Sequence, residues 1–91
     1  MRVSYHPKVR DEDIPRLGHV AAGRIRVAIE GRLMAHPDKL GLPLRRGLHG
    51  YKKFRVGDYR VIYRLDGEEI KILIIGHRKD IYDRIKKRQP D

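Results

Sequence analysis

The chain has no cysteine among its 91 residues. That removes disulfide staples and thiolate zinc sites together, and points to a reducing compartment, the cytoplasm. No apolar run approaches the length of a membrane span, and the opening MRVSYHPKVR carries no apolar signal core, so no membrane association is expected. Acid is scarce: 12 Asp plus Glu stand against 22 Lys plus Arg. The carboxylates Asp11, Asp13, Asp38, Asp66 and Asp80 are scattered, and the five histidines lack ligand spacing, so neither a metal nor a cofactor is expected. Repeats, low-complexity tracts and linkers are absent too, which leaves one small domain over residues 1–91.

The 40% of hydrophobic residues is enough for a folded core, although 37% charged residues is well above ordinary usage. The net charge of +10 and a pI near 10.3 favour a polyanionic partner, of which nucleic acid is the commonest.

RVSYH alternates as a first short strand closed by Pro7. In KVRDEDIPRLG, Asp11 or Asp13 can cap a helix whose first turn takes Pro15, and Gly18 breaks or bends it. HVAAGRIRVAIEGRLMAHP is the clearest helix, with Ala21, Ile25, Ala28, Ile29 and Leu33 on one stripe. Gly23 and Gly31 weaken it by about 1 kcal/mol each, so packing against a sheet must hold it, and Pro37 stops it. DKLGLPLRRGLHG reads as a connecting loop. Strands follow at Tyr51–Val56, Tyr59–Leu65 and Glu69–Ile75, joined by turns at Gly57-Asp58 and Asp66-Gly67. The tail RKDIYDRIKKRQPD resumes helical spacing through Ile81 and Ile85, then frays into charge. The expected fold is a two-layer α+β domain, an antiparallel sheet of the N-terminal strand plus the meander, packed by two N-terminal helices, with a short C-terminal helix.

Side chains alternate between faces along a strand. Phe54, Val56, Tyr59, Val61, Tyr63, Leu65, Ile70, Ile72 and Ile74 make one consistent, helix-covered set. The opposite face then collects Lys53, Arg55, Arg60, Arg64 and Lys71, with Tyr51 at its edge and Ile62, Leu73 and Ile75 among them. Close cations of one sign destabilise a fold unless an anion neutralises them, so this face reads as a phosphate site. The plainer account is a wet sheet face kept polar for solubility, and it predicts mixed signs. After the third strand, GHRKDIY adds His77, Arg78 and Tyr82. With the basic strands these groups suit metal-free RNA cleavage, which needs a base for the 2′-hydroxyl, cations for the phosphorane and an acid for the 5′-oxygen. A lysine serves as base when like-charged neighbours lower its pKa. Taken alone, His77 is an ordinary loop histidine and Tyr82 a packing residue. Arg45 and Arg46 in the loop are phosphate contacts or plain surface charge.

The run LHGYKKFRVGDYRVIYRLDGEEIKILIIGHRKDIY, Leu48 to Tyr82, resembles the RelE/ParE superfamily of type II toxin–antitoxin toxins, on its RelE side, most specifically in RVGDYRVIY and GHRKDIY. The resemblance implies a toxin that cuts mRNA in the ribosomal A site and so inhibits translation. Its partners would be the ribosome, mRNA and a cognate antitoxin protein, with operator DNA met only through the antitoxin complex. It implies Lys53 as candidate general base, Arg60 as the arginine stabilising the phosphate, Arg78 as transition-state stabiliser or acid, and Tyr82 as the residue orienting the nucleotide. Arg55 fits a supporting phosphate contact, with Tyr51, Arg64, Lys71 and Arg45 as further RNA contacts and His77 as an alternative acid or base. Two other uses of the scaffold compete: a ParE-like DNA gyrase inhibitor without nuclease chemistry, and a non-catalytic RNA-binding module.

Overall fold

The computed structural model describes residues 1–44 and 49–90; Arg45 and Arg46 lie outside the described residues. Its strands are β1 (Arg2–Tyr5), β2 (Leu42–Pro43), β3 (Tyr51–Val56), β4 (Tyr59–Asp66) and β5 (Glu69–His77). They form a mixed sheet in the order β1-β5-β4-β3-β2. Two features differ from the sequence expectation. The loop contributes β2, which pairs antiparallel with β3 through Leu42 and Lys53. And β1 runs parallel to β5, because the helical crossover returns the chain before the meander begins.

That crossover is α1 (Ile14–Ala28), flanked by wider π-helical turns at Val9–Asp13 and Ile29–Leu33. Gly18, at φ 79° and ψ 165°, bends it into two rods, a backbone shape that side-chain-bearing residues adopt poorly. Ile25, Ala28, Ile29 and Leu33 are buried as the stripe predicts, packed with Val9 on Phe54, Val56, Val61, Tyr63, Ile70 and Ile72. Arg32 lies 5.2 Å from the centre of the Phe54 ring. Pro37 ends the long helix and also begins the one-turn α2 (Pro37–Leu40). Beneath α2 the buried Tyr63 hydroxyl donates to the Pro37 carbonyl at 2.8 Å. Gly41 touches that phenol, and a β-carbon there would overlap its oxygen. Burial, with a smaller effect of Asp38, raises the Tyr63 pKa to about 12.

The phase of β5 departs from simple alternation. Ile62 pairs with Ile74 but Tyr63 pairs with Ile72, so Leu73 is an unpaired bulge residue. Beyond the bulge the faces exchange: Ile75, not Ile74, joins the helix-side core. Ile74 falls on the other face with Ile62 and Leu73, where α3 (Ile81–Ile85) covers them through Ile81 and Ile85. The second face is therefore not an open wet surface. It carries a small apolar core of its own.

The tail after α3 is anchored rather than frayed. Asp13, fully buried, stands at the N-cap position of α1 but its side chain does no capping: its carboxylate accepts the Ile75 N–H, where β1 has ended and β5 would lack a partner. The same carboxylate holds Arg84 of α3 and accepts from Arg88 Nη1 and Nη2, at 2.7 and 3.0 Å. Arg88 also donates to the Leu73 carbonyl, at the bulge. One buried acid thus ties the end of the chain to the crossover. Among the described residues, no helix is long and apolar enough to cross a membrane.

Candidate functional site

Strand register fixes which side chains share the second face. Arg55 stands directly opposite Arg60, and Arg60 directly opposite Gly76. One step along, about 7 Å away at strand rise, Lys53 faces Ile62 and Ile62 faces Ile74. A further step brings Tyr51 opposite Arg64, and Arg64 opposite Lys71. The apolar middle of this face lies under α3, which divides the cations. Arg55 and Arg60 gather at the β3–β4 turn, Arg64 and Lys71 at the far end, and Lys53 lies between them on β3.

At the turn, the Arg60 guanidinium folds back and donates to the carbonyls of Gly57 (3.0 Å) and Tyr59 (2.9 Å). Gly57 takes a positive φ of 59°, the left-handed shape this tight connection requires. Arg78, just past β5, docks on the same turn: its N–H donates to the Asp58 carbonyl, and its side chain lies 3.7 Å from the Asp58 carboxylate. Arg60 and Arg78 are thereby brought to one place by a hairpin and the end of its neighbouring strand. Gly76 leaves room beside Arg60 that Arg84 fills, with Nη1 2.5 Å from where a β-carbon would stand.

The charge on this face is unevenly compensated. Asp58 attends Arg78, and Asp66 lies 3.2 Å from Lys71. Among the described residues no carboxylate lies within ion-pair distance of Lys53, Arg55, Arg60 or Arg64. Like charges directly opposite across strands, as Arg55 and Arg60 are, destabilise a sheet. A tetrahedral or trigonal-bipyramidal oxyanion beside them reverses that sign, and guanidinium forks suit its oxygens.

His77 is not part of this group. It pairs with Tyr59 on the helix-side face, the rings meeting edge to face at 5.7 Å. Its Nδ1 accepts the Lys79 N–H and so shapes the turn into α3. Tyr82 is 40% exposed on α3, next to the buried Ile81 that seats the helix. Sequence reasoning missed Arg84 and read its holder Asp13 as a helix cap; the two are 71 residues apart and share no local pattern. Gly76 was the one readable hint, since a glycine in a strand marks a close approach.

Residues 6–82 match the family model described as ParE toxin of type II toxin-antitoxin system, parDE. The chain is 36% identical to Toxin RelE of Mycobacterium tuberculosis over 72 residues, 77% of this chain and 74% of that protein. A segment of 56 residues, 59% of this chain, is 45% identical to Toxin RelG of the same organism and spans 64% of its length, just under two thirds. Among solved structures, the toxin–antitoxin complex RelBE2 of Mycobacterium tuberculosis contains a chain similar to this one. It has a TM-score of 0.77 and 33% identity, covering 85% of this chain and 96% of that one.

Proposed function

Because this chain belongs to the ParE toxin family of type II toxin–antitoxin systems, we propose that it is the toxin of such a pair, a ribosome-dependent mRNA endonuclease that a cognate antitoxin silences. The observation that carries this reading is the Arg55–Arg60 pair, face to face without an acidic partner, with Arg78 docked on the same turn and Lys53 one step along the face. Three arginines at one turn, with a lysine one step along the face, form a cation cluster, and a phosphorane is the charge they would stabilise.

In this reading Lys53 takes the 2′-hydroxyl proton as the 2′-oxygen attacks phosphorus. Arg60 and Arg55 hold the non-bridging oxygens, whose charge grows in the transition state, and Arg78 hydrogen-bonds the departing 5′-oxygen. Tyr82 stands exposed to orient a base. The bond from phosphorus to the 5′-oxygen breaks as that oxygen takes a proton from solvent, leaving a 2′,3′-cyclic phosphate and a 5′-hydroxyl. His77 takes no role, since it lies on the other side of the sheet.

A coupled translation system with mapping of mRNA 5′ ends, run beside a gyrase supercoiling assay, tests the proposal. Codon-positioned cuts that vanish in Arg60→Ala and Arg78→Ala are expected. Gyrase inhibition with intact mRNA would instead assign the scaffold to topoisomerase poisoning.

A further inference from the structure

We propose that the cleft at the far end of the basic face, between Tyr51, Arg64 and Lys71, is a second phosphate subsite. It would grip single-stranded RNA beyond the link being cut. The inference takes its ligand class, RNA, from the endonuclease reading. It adds a place that the chemistry at the β3–β4 turn does not use.

The cleft encloses about 220 Å³ and is lined by Ser4, His6, Tyr51, Arg64, Lys71 and Leu73, among others. Register builds it: Tyr51, Arg64, Lys71 and Ser4 stand side by side on four adjacent strands. Arg64 and Lys71 are a like-charged pair directly opposite one another, an arrangement that costs stability with nothing bound. Arg64 has no carboxylate in ion-pair reach among the described residues, and Lys71 shares only the exposed Asp66. An exposed pair of that kind is weak, and a phosphate can take its place. Tyr51 packs on the apolar cluster under α3. One edge of the cleft is therefore a fixed aromatic ring, the platform on which bases stack without regard to sequence. His6 is already engaged, its Nδ1 accepting the Lys8 N–H and its Nε2 donating to the Gln89 carbonyl, so it makes a wall rather than a ligand.

Position argues for RNA over an acidic peptide. Arg64 lies four residues from Arg60 on the same strand, about 13 Å at strand rise. The direct line between them is blocked by α3 on Ile62 and Ile74. Beside α3, along β3, Arg55, Lys53 and Tyr51 project on one face at every second residue, with Leu44 packed next to Tyr51. A strand with a phosphate at Arg55 and Arg60 is led by these side chains around the helix and into the cleft. A track of regular cations ending in an aromatic ring matches a repeating phosphate and a base.

The test uses a 2′-O-methyl octauridylate, which binds but cannot be cut, with affinity measured by fluorescence anisotropy between 50 and 200 mM salt. Arg64→Gln with Lys71→Gln is expected to weaken binding about tenfold. It should also lower the slope of log affinity against log salt by about 1.4, two contacts' worth for a single strand. Asp66→Asn, which releases Lys71, is expected to tighten binding severalfold, so a folding defect in the double variant cannot imitate the result. Unchanged affinity and slope in the double variant would overturn the subsite. So would a loss confined to a hexaglutamate probe, which assigns the cleft to an acidic peptide. Because no cleavage is read, an uncut mRNA in the translation assay would sink the endonuclease reading and leave these binding results in support of the cleft.

Discussion

Asp13→Ala removes the acceptor of hydrogen bonds from the Ile75 N–H, from Arg84 and from Nη1 and Nη2 of Arg88. Arg84 has another recourse, since its side chain is 17% exposed and Asp80 lies at 4.0 Å. Arg88 has little: its side chain is 5% exposed and keeps only the Leu73 carbonyl. Stranding one partner of a buried ion pair costs about 3–5 kcal/mol. A domain of this size holds only about 5–15 kcal/mol in all. With a urea slope near 2 kcal/mol per molar, the unfolding midpoint should fall by about 1.5 M or more. Native-state hydrogen exchange should show the Ile75 amide losing protection. The same reasoning makes a second demand. Asp13→Leu combined with Arg88→Met removes both charges, and should recover much of the loss because an apolar replacement of a buried pair is often near neutral. A single variant within 1 kcal/mol of the parent, or a double variant no better than the single, would refute this account of how α3 is held.

Tyr63→Phe forfeits the hydrogen bond to Pro37 and should cost about 1 kcal/mol by denaturant unfolding. Gly41→Ala, which drives a β-carbon into the phenol oxygen, should cost about 1–3 kcal/mol alone and less in the Tyr63→Phe background. With a folded pKa near 12 against 10 for the free phenol, the neutral form is favoured by the fold. Stability should begin to fall near pH 10 and be lower by about 2 kcal/mol at pH 12, this phenol's share of the loss being the part that Tyr63→Phe removes. Arg55→Gln relieves the charge pair with Arg60, so it should leave stability equal or slightly higher while lowering affinity for the octauridylate; a drop in both would mean that Arg55 supports the fold.

Much of this architecture was legible because period and punctuation agreed. The stripe from Ala21 to Leu33, the hairpin turns at Gly57 and Gly67, and the inward set Phe54, Val56, Val61 and Tyr63 all carry polar neighbours that mark the outward phase. That contrast disappears at Ile72–Ile75, where four apolar residues in a row cover two cores, so nothing in the sequence signals the bulge at Leu73 or the exchange of Ile74 with Ile75. The parallel pairing of β1 was hidden because four residues cannot announce their direction. The candidate site was half readable. Alternation along β3 and β4 assigned Lys53, Arg55 and Arg60 to one face, while the division of that face by α3 follows from packing distant in sequence and the removal of His77 to the other side from the bulge at Leu73. Asp13 was misassigned for the same reason: a buried acid paired with Arg88, 75 residues on, looks locally like any helix-capping aspartate.

The central claim is that Lys53, Arg60 and Arg78 act on a transition state rather than merely attract RNA. Single-turnover cleavage of mRNA on ribosomes stalled at a defined codon, with ribosome affinity measured in parallel, addresses it most directly. The account predicts that Lys53→Ala, Arg60→Ala and Arg78→Ala each slow cleavage about 100-fold or more, with affinity changed only a few-fold. Affinity and rate falling together in all three would contradict it, leaving these residues as phosphate contacts.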